Sequence, residues 1–179
     1  MDIQKFIDEV QAADWHRFTA PYYNPRQSPV SLIALARAEQ ESQKGFIRIK
    51  GAKPDYDLVL NPGITTDVMF AIGNDHRGTY YPVVTMALPF IIQVALYGNH
   101  VVARNCAINI LIDLYYFDPE YAPQELQESV RKTIEDVIEE NRANFEEFVA
   151  EYPRNATLIK SLWRIHDEKD LKSSELTAS

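Results

Sequence analysis

Two long apolar runs stand almost back to back near the middle of the chain. VVTMALPFIIQVALY (83–97) and HVVARNCAINILIDLYYF (100–117) are separated only by Gly98 and Asn99. Wound as helices, both are apolar around most of their circumference, so both belong in an interior. A connection this short folds the second helix back on the first, antiparallel. The rest of the chain must therefore cover this pair. The first run spans fifteen residues with Pro89 inside. That is too short for a bilayer and suits a buried central helix.

The chain is long enough to do the covering. Its 179 residues fit one domain, and 46% hydrophobic residues, with ten Tyr, eight Phe and two Trp, supply a sizeable core. Ten Pro against six Gly favour helices started by Pro in the first turn. The lone Cys106 excludes an internal disulfide and a Cys-based zinc cluster. It lies in an apolar run, the setting of a buried, inert thiol. The start, MDIQKFIDEV, carries acids where a signal peptide needs a basic segment and an apolar stretch, so a cytoplasmic protein is expected. A net charge of −8 disfavours nucleic acid as a direct ligand.

The flanking segments read as follows. Residues 2–13 form a short amphipathic helix with Ile3, Phe6, Ile7 and Val10 on one side. Pro21, Pro25 and Pro29 make the next stretch an aromatic-rich connection. Ser28 then reads as an N-cap with Pro29 at the first helical position. That helix is expected to reach about Ser42, with Val30, Leu32, Ile33, Leu35 and Ala36 inward. Residues 45–61 hold two short β-prone pieces, a small hairpin or an irregular insert. A short helix capped by Thr65 or Thr66 is stopped by Gly73. Pro82 starts the first apolar helix and Gly98 stops it; Asn99 caps the second. One long helix is expected from Pro123 to Tyr152, and Asn155 caps a last short one. The expectation is a single all-α domain over 1–166, with a polar tail over 167–179.

The stretch GNDHRGTYYP (73–82) invites a chemical reading. Gly73, Gly78 and Thr79 give most of a phosphate-binding loop, but the Lys before the Ser or Thr is absent and the preceding TTDVMFAI reads as helix, where a strand is required. Asp75, His76 and Arg77 are neighbours in sequence, and such neighbours rarely face one another as an acid–base pair must. The alternative is a structural turn: His76 hydrogen-bonds across it, Thr79 caps the next helix and Pro82 lies in its first turn. His16, His76, His100 and His166 are scattered, with no pair at helical spacing and no Cys companion, so no metal site is expected. No G-x-S-x-G elbow and no Arg–His spacing of the kind some helical nucleases carry is present. Neither catalysis nor a cofactor is expected.

The segment from Phe70 to Phe117 resembles one found in bacterial HEAT-like repeat proteins. The likeness rests on the turn His76, Gly78, Thr79, Tyr81, Pro82, on Pro89 and Phe90, on Ile110, Leu111 and Leu114, and on the upstream Trp15. It covers about residues 60–117. The resemblance implies helical pairs stacked as a HEAT/armadillo-like α-solenoid fragment. Many proteins of this kind resemble immunity proteins that sit beside bacterial polymorphic toxins, including contact-dependent growth inhibition toxins.

The charge map adds a surface. Residues 118–151 hold eleven acids (Asp118, Glu120, Glu125, Glu128, Glu135, Asp136, Glu139, Glu140, Glu146, Glu147 and Glu151) against Arg131, Lys132 and Arg142, while the rest of the chain is balanced. The core face of this helix reads as Leu126, Val130, Ile134, Val137, Ile138, Phe145, Phe148 and Val149. Pairing at helical spacing is expected for Glu128 with Lys132 and for Glu139 with Arg142. The other acids form either a solvated face or a docking surface for a basic partner. The reading is a non-catalytic immunity protein that occludes a cationic toxin domain, such as a nuclease. Its expected contacts are Glu128, Glu135, Asp136, Glu139, Glu140, Glu146 and Glu147, helped by Asp55 and Asp57. A HEAT-like scaffold with another protein partner is the alternative, and a small enzyme using the 73–79 turn a weaker one.

Overall fold

The computed structural model describes residues 1–38 and 60–165. The 45–61 insert, save its last two residues, lies outside that range. So do Asp55, Asp57 and the 167–179 tail.

The first helix, α1 (Ile3–Ala12), is capped by the Asp2 carboxylate, which accepts from the amides of Gln4 and Lys5. Such a cap contributes about 1 kcal/mol. Its apolar stripe buries Phe6, Ile7 and Val10. After a 3₁₀ turn at Trp15–Arg17, the Trp15 indole donates to Val10 O and packs near Phe90, which also takes the edge of Phe6.

α2 (Gln27–Ala36) begins one residue before Ser28, which is therefore not its cap. Ser28 is fully buried and donates to Ala71 O at the end of α3 (Pro62–Ile72). The buried face is Ser28, Ser31, Leu32, Leu35 and Ala36; Val30, expected inward, is 67% exposed. The helical run stops at Ala36, short of Ser42. Asn61, not Thr65 or Thr66, caps α3, accepting from the Ile64 amide. Thr65 is buried within that helix.

The two apolar runs form α4 (Val84–Tyr97) and α5 (Val101–Tyr116), the most extensively packed pair of helices. Arg104 reaches back across their connection to donate to Ala95 O. Helix α4 starts at Val84, with Pro82 in the turn leading to it. His100 occupies the N-cap position of α5, while Asn99 accepts from the Met1 ammonium. Ten of the sixteen residues of α5 are buried, and it packs on α2, α3, α4 and α6 (Glu125–Glu140). Each fully buried Ile or Leu of this kind contributes about 1.5–3 kcal/mol, which makes α5 the centre of the core.

The long fourth helix is two. Asn141 ends α6 and precedes α7 (Arg142–Glu151). Its side-chain amide donates to Val137 O, competing with continuation of the helix. A 3₁₀ turn at Pro153–Asn155 leads into a helix over 156–165, α8. Asn155 is buried there and accepts from Asn105 Nδ2 at 3.0 Å, a tie to α5.

The fold is mostly helical, with a small sheet the helical reading missed. β1 (Gly73–Asn74) pairs antiparallel with β2 (Thr79–Tyr80), and β2 pairs parallel with β3 (Asp118–Pro119).

Candidate functional site

The corner at 73–82 is built by this sheet. Gly73 aligns with Tyr80 and Asn74 with Thr79, around a 3₁₀ turn at Asp75–Arg77. Gly78 closes the turn at φ 63°, the left-handed region that favours glycine. The Asp118 amide donates to Gly78 O at 3.0 Å and the Glu120 amide to Tyr80 O at 2.7 Å. Glu120 then clamps the corner through its side chain. Its carboxylate accepts from Arg77 Nη1 at 2.7 Å and from Thr79 Oγ1 at 2.5 Å. Thr79 thus binds Glu120 and does not cap the next helix. The aromatic neighbour of His76 is Phe70, met edge-on at 4.9 Å. His76 and Arg77 therefore face different neighbours. Tyr80 is fully buried beneath the turn, and burial pushes its phenol up to about 12.

One carboxyl beside the corner has a raised pKa. Asp113, in the last turn of α5, accepts from Asn109 Nδ2 at 2.9 Å. Burial, and secondarily the charge of Asp75, raises its pKa from 3.8 to about 6. Among the described residues, no three His, Cys, Asp or Glu side chains converge as metal ligands would. Cys106 is buried beside the Asn61 backbone, and burial raises its thiol pKa, as an inert cysteine requires.

The second candidate is the acidic pair of helices. Val130, Ile134 and Ile138 of α6 and Phe145 and Phe148 of α7 are buried, so the acids fall on the opposite side. At 3.6 residues per turn, Glu128, Glu135 and Glu139 lie within about 40° of one another. The structure sorts the expected contact residues. Glu128, Glu139, Glu140, Glu146 and Glu147 are exposed. Glu135 is half-buried and accepts from the Tyr115 hydroxyl at 3.0 Å, so it serves the junction with α5. Asp136 is held by Lys132 at 2.8 Å, the pairing expected for Glu128. Arg142 lies 3.8 Å from Glu146, one turn further on.

Lys132 stays on this face with Asp136, while the two arginines of the segment also reach aromatic residues. Arg131 donates to Tyr115 O at 2.9 Å, and Arg142 stacks 4.7 Å over the Trp163 ring. Two exposed tyrosines, Tyr22 and Tyr121, went unnoticed in the sequence; both have positive φ. Tyrosine is not a turn residue, so composition carries no signal for them. Among the described residues no helix is long and apolar enough to cross a membrane. Comparison with protein-family models, with characterised proteins and with solved structures finds no match to this chain.

Proposed function

We propose that the protein is a non-catalytic immunity protein that neutralises a cationic toxin domain, such as a nuclease, in the cytoplasm. The observation that carries this reading is the one-sided charge of α6 and α7. Glu128, Glu139, Glu140, Glu146 and Glu147 are exposed, and the bases among them are fewer: Lys132 pairs with Asp136, Arg142 lies by Glu146 and over Trp163, and Arg131 turns to Tyr115. A face so charged steers a basic partner into encounter and substitutes for the phosphates a nuclease binds. The pairing of α2 with α3 and of α4 with α5 supports reading the chain as a HEAT/armadillo-like solenoid fragment. The same helices would serve a scaffold with a different protein partner. The acidic face favours a basic one.

The test is co-expression with the C-terminal domain of a large secreted protein encoded immediately upstream. A stoichiometric complex that protects the host is expected; survival without complex formation, or no binding, sinks the reading. Within the complex, reversing Glu128, Glu139 and Glu140 to Lys should slow association about tenfold at low ionic strength, and salt should erase the difference. An unchanged rate would show that the acids are only solvated.

A further inference from the structure

The last helical amide bond of α5 runs from Phe117 N to Asp113 O at 3.0 Å, and the last turn of that helix holds no basic residue. The carbonyls beyond Asp113 must find partners elsewhere, and the negative end of the helix dipole favours a cation. Helix α6 supplies both. The Gln127 amide donates to Phe117 O at 3.0 Å and to Asp118 Oδ1 at 2.6 Å, while its own oxygen accepts from Gln124. One turn on, Arg131 Nε donates to Tyr115 O at 2.9 Å, with the guanidinium carbon 5.7 Å from the Tyr115 ring centroid. One turn further, Glu135 accepts from the Tyr115 hydroxyl at 3.0 Å. Tyr115 is thus gripped at its carbonyl and at its phenol. Burial first, then Glu135, push that phenol up to about 12, so it stays a donor near neutral pH.

These polar groups recur every fourth residue, and each precedes by three a buried apolar one: Val130, Ile134 and Ile138. A polar row and an apolar row therefore run side by side along α6. The apolar row holds the helix down. Neighbouring packings of such a row differ little in energy, and cores lose uniqueness before they lose stability. Directional hydrogen bonds select one packing. Gln127 and Tyr115 are buried, so water cannot take over the bonds they make.

We infer that Gln127 and Arg131 are positioning residues of the acidic face: by capping the end of α5 they fix the roll of α6, and with it the carboxylates a partner meets. Glu128, Glu139 and Glu140 are exposed on the same helix, so a change of roll re-aims all three without changing their charge. Arg131 lowers the charge of its own segment, which weakens attraction for a cation; holding α6 in place gives that base a use. A folded partner senses the roll, and a flexible polycation does not. That the partner is basic rests on the function proposed above.

The test uses the full chain with Arg131→Met and Arg131→Gln. The two variants carry the same charge, but only glutamine can donate to Tyr115 O. Amide resonances of 125–140 are expected to broaden or double in Arg131→Met and to remain a single set in Arg131→Gln, with Ile108 and Leu111 unmoved in both. The C-terminal domain of the protein encoded upstream should leave Arg131→Met roughly tenfold faster than it leaves the parent, and leave Arg131→Gln at close to the parent rate. Nona-arginine should bind both variants at least as tightly as the parent, because each has lost a base. Diffuse charge alone predicts the opposite for the folded domain, which would then hold Arg131→Met as tightly as the parent or more so; that result, or one sharp set of resonances in both variants, overturns the positioning role. If Arg131→Met does not fold, Gln127→Leu takes its place with the same expectations. If the upstream domain fails to bind the parent, the immunity reading falls, and the resonances of 125–140 alone decide whether these side chains fix α6.

Discussion

Gly73 and Gly78 occupy the same corner and are needed for different reasons. Gly73 has extended backbone, which any residue adopts, but a Cβ there would sit 2.2 Å from Thr79 O and 2.7 Å from Tyr80 Cα. Those are backbone atoms of the paired strand and cannot step aside. Gly78 has open space, with the Phe117 ring at ordinary contact, and a left-handed φ of 63°. Gly73→Ala should therefore cost about 3 kcal/mol by overpacking, and Gly78→Ala about 1–2 kcal/mol by strain. Urea unfolding of the two variants checks the order; equal losses would refute the steric account of Gly73. In sequence, Gly73 is legible only as a helix stop, because the strand that crowds it follows a turn no periodicity marks. Asp113 was equally silent. Its folded pKa of about 6 lies above the ordinary 3.8, so between those values the folded chain holds a proton that the unfolded chain has lost. Its contribution is most favourable below the unfolded value and is lost as pH rises through the folded one. At pH 7 its ionised form costs the fold on the order of 1–3 kcal/mol. Asp113→Asn should then be more stable than the parent at pH 7, with the difference gone near the unfolded value of about 4. Thermal melts across that range measure it, and a gain that persisted at the acid end would not be linkage.

At the scale of elements, polar faces decide what a sequence reveals. Helix α6 carries charge on one side, and Val130, Ile134 and Ile138 are buried where the pattern puts them. Helix α2 has no charged side to orient it, so Val30 and Ser28 exchange places relative to expectation. The two serines inside let α2 approach α3, and Ser28 serves a carbonyl in the last turn of α3 that has no helical partner. The Tyr81 amide does the same for Ile72 O at 2.8 Å. Ser28→Ala should accordingly cost about 1–3 kcal/mol, since it leaves a buried acceptor unmet. Val30→Lys should stay within about 0.5 kcal/mol. Chemical denaturation of both variants decides which face packs, and a reversed order would restore Val30 to the core. The break at Asn141 was illegible for a related reason. Apolar spacing of three and four runs through it to Phe145 and Phe148, and neither Gly nor Pro marks it. β3 is two residues long and its partner lies some forty residues upstream, beyond what local pattern can carry.

At the scale of the molecule, the back-to-back apolar runs were enough to place α4 and α5 at the centre, but not to say how the C-terminal helices attach. Arg104 is a principal tie. From α5 its guanidinium donates to Ala95 O at 3.0 Å and to Asn144 Oδ1 at 2.7 Å, and lies 3.7 Å over the Phe148 ring. It joins α4, α5 and α7 at one point. Burial lowers its pKa, chiefly by desolvation, while Glu151 acts in the opposite direction. The contacts must therefore offset the cost of enclosing a charge, which a planar guanidinium does by stacking and donating at once. The buried residues of α7 and α8 (Phe145, Phe148, Leu158, Ile159, Leu162 and Ile165) form the outer part of the core. Removing the tie should loosen that part before the α2–α5 centre, since stability is distributed in units and the edge opens first. Arg104→Ala is expected to cost about 2–4 kcal/mol, through lost bonds, lost stacking and the unmet Ala95 carbonyl. Amide exchange should accelerate across 142–165 while Ile108 and Leu111 keep their protection. Arg104→Lys should recover less than half, because an ammonium cannot stack on Phe148 and reach both acceptors in the same fork. A uniform loss of protection along the chain would mean that the C-terminal helices and the centre open as one unit, and that Arg104 is only one contact among many.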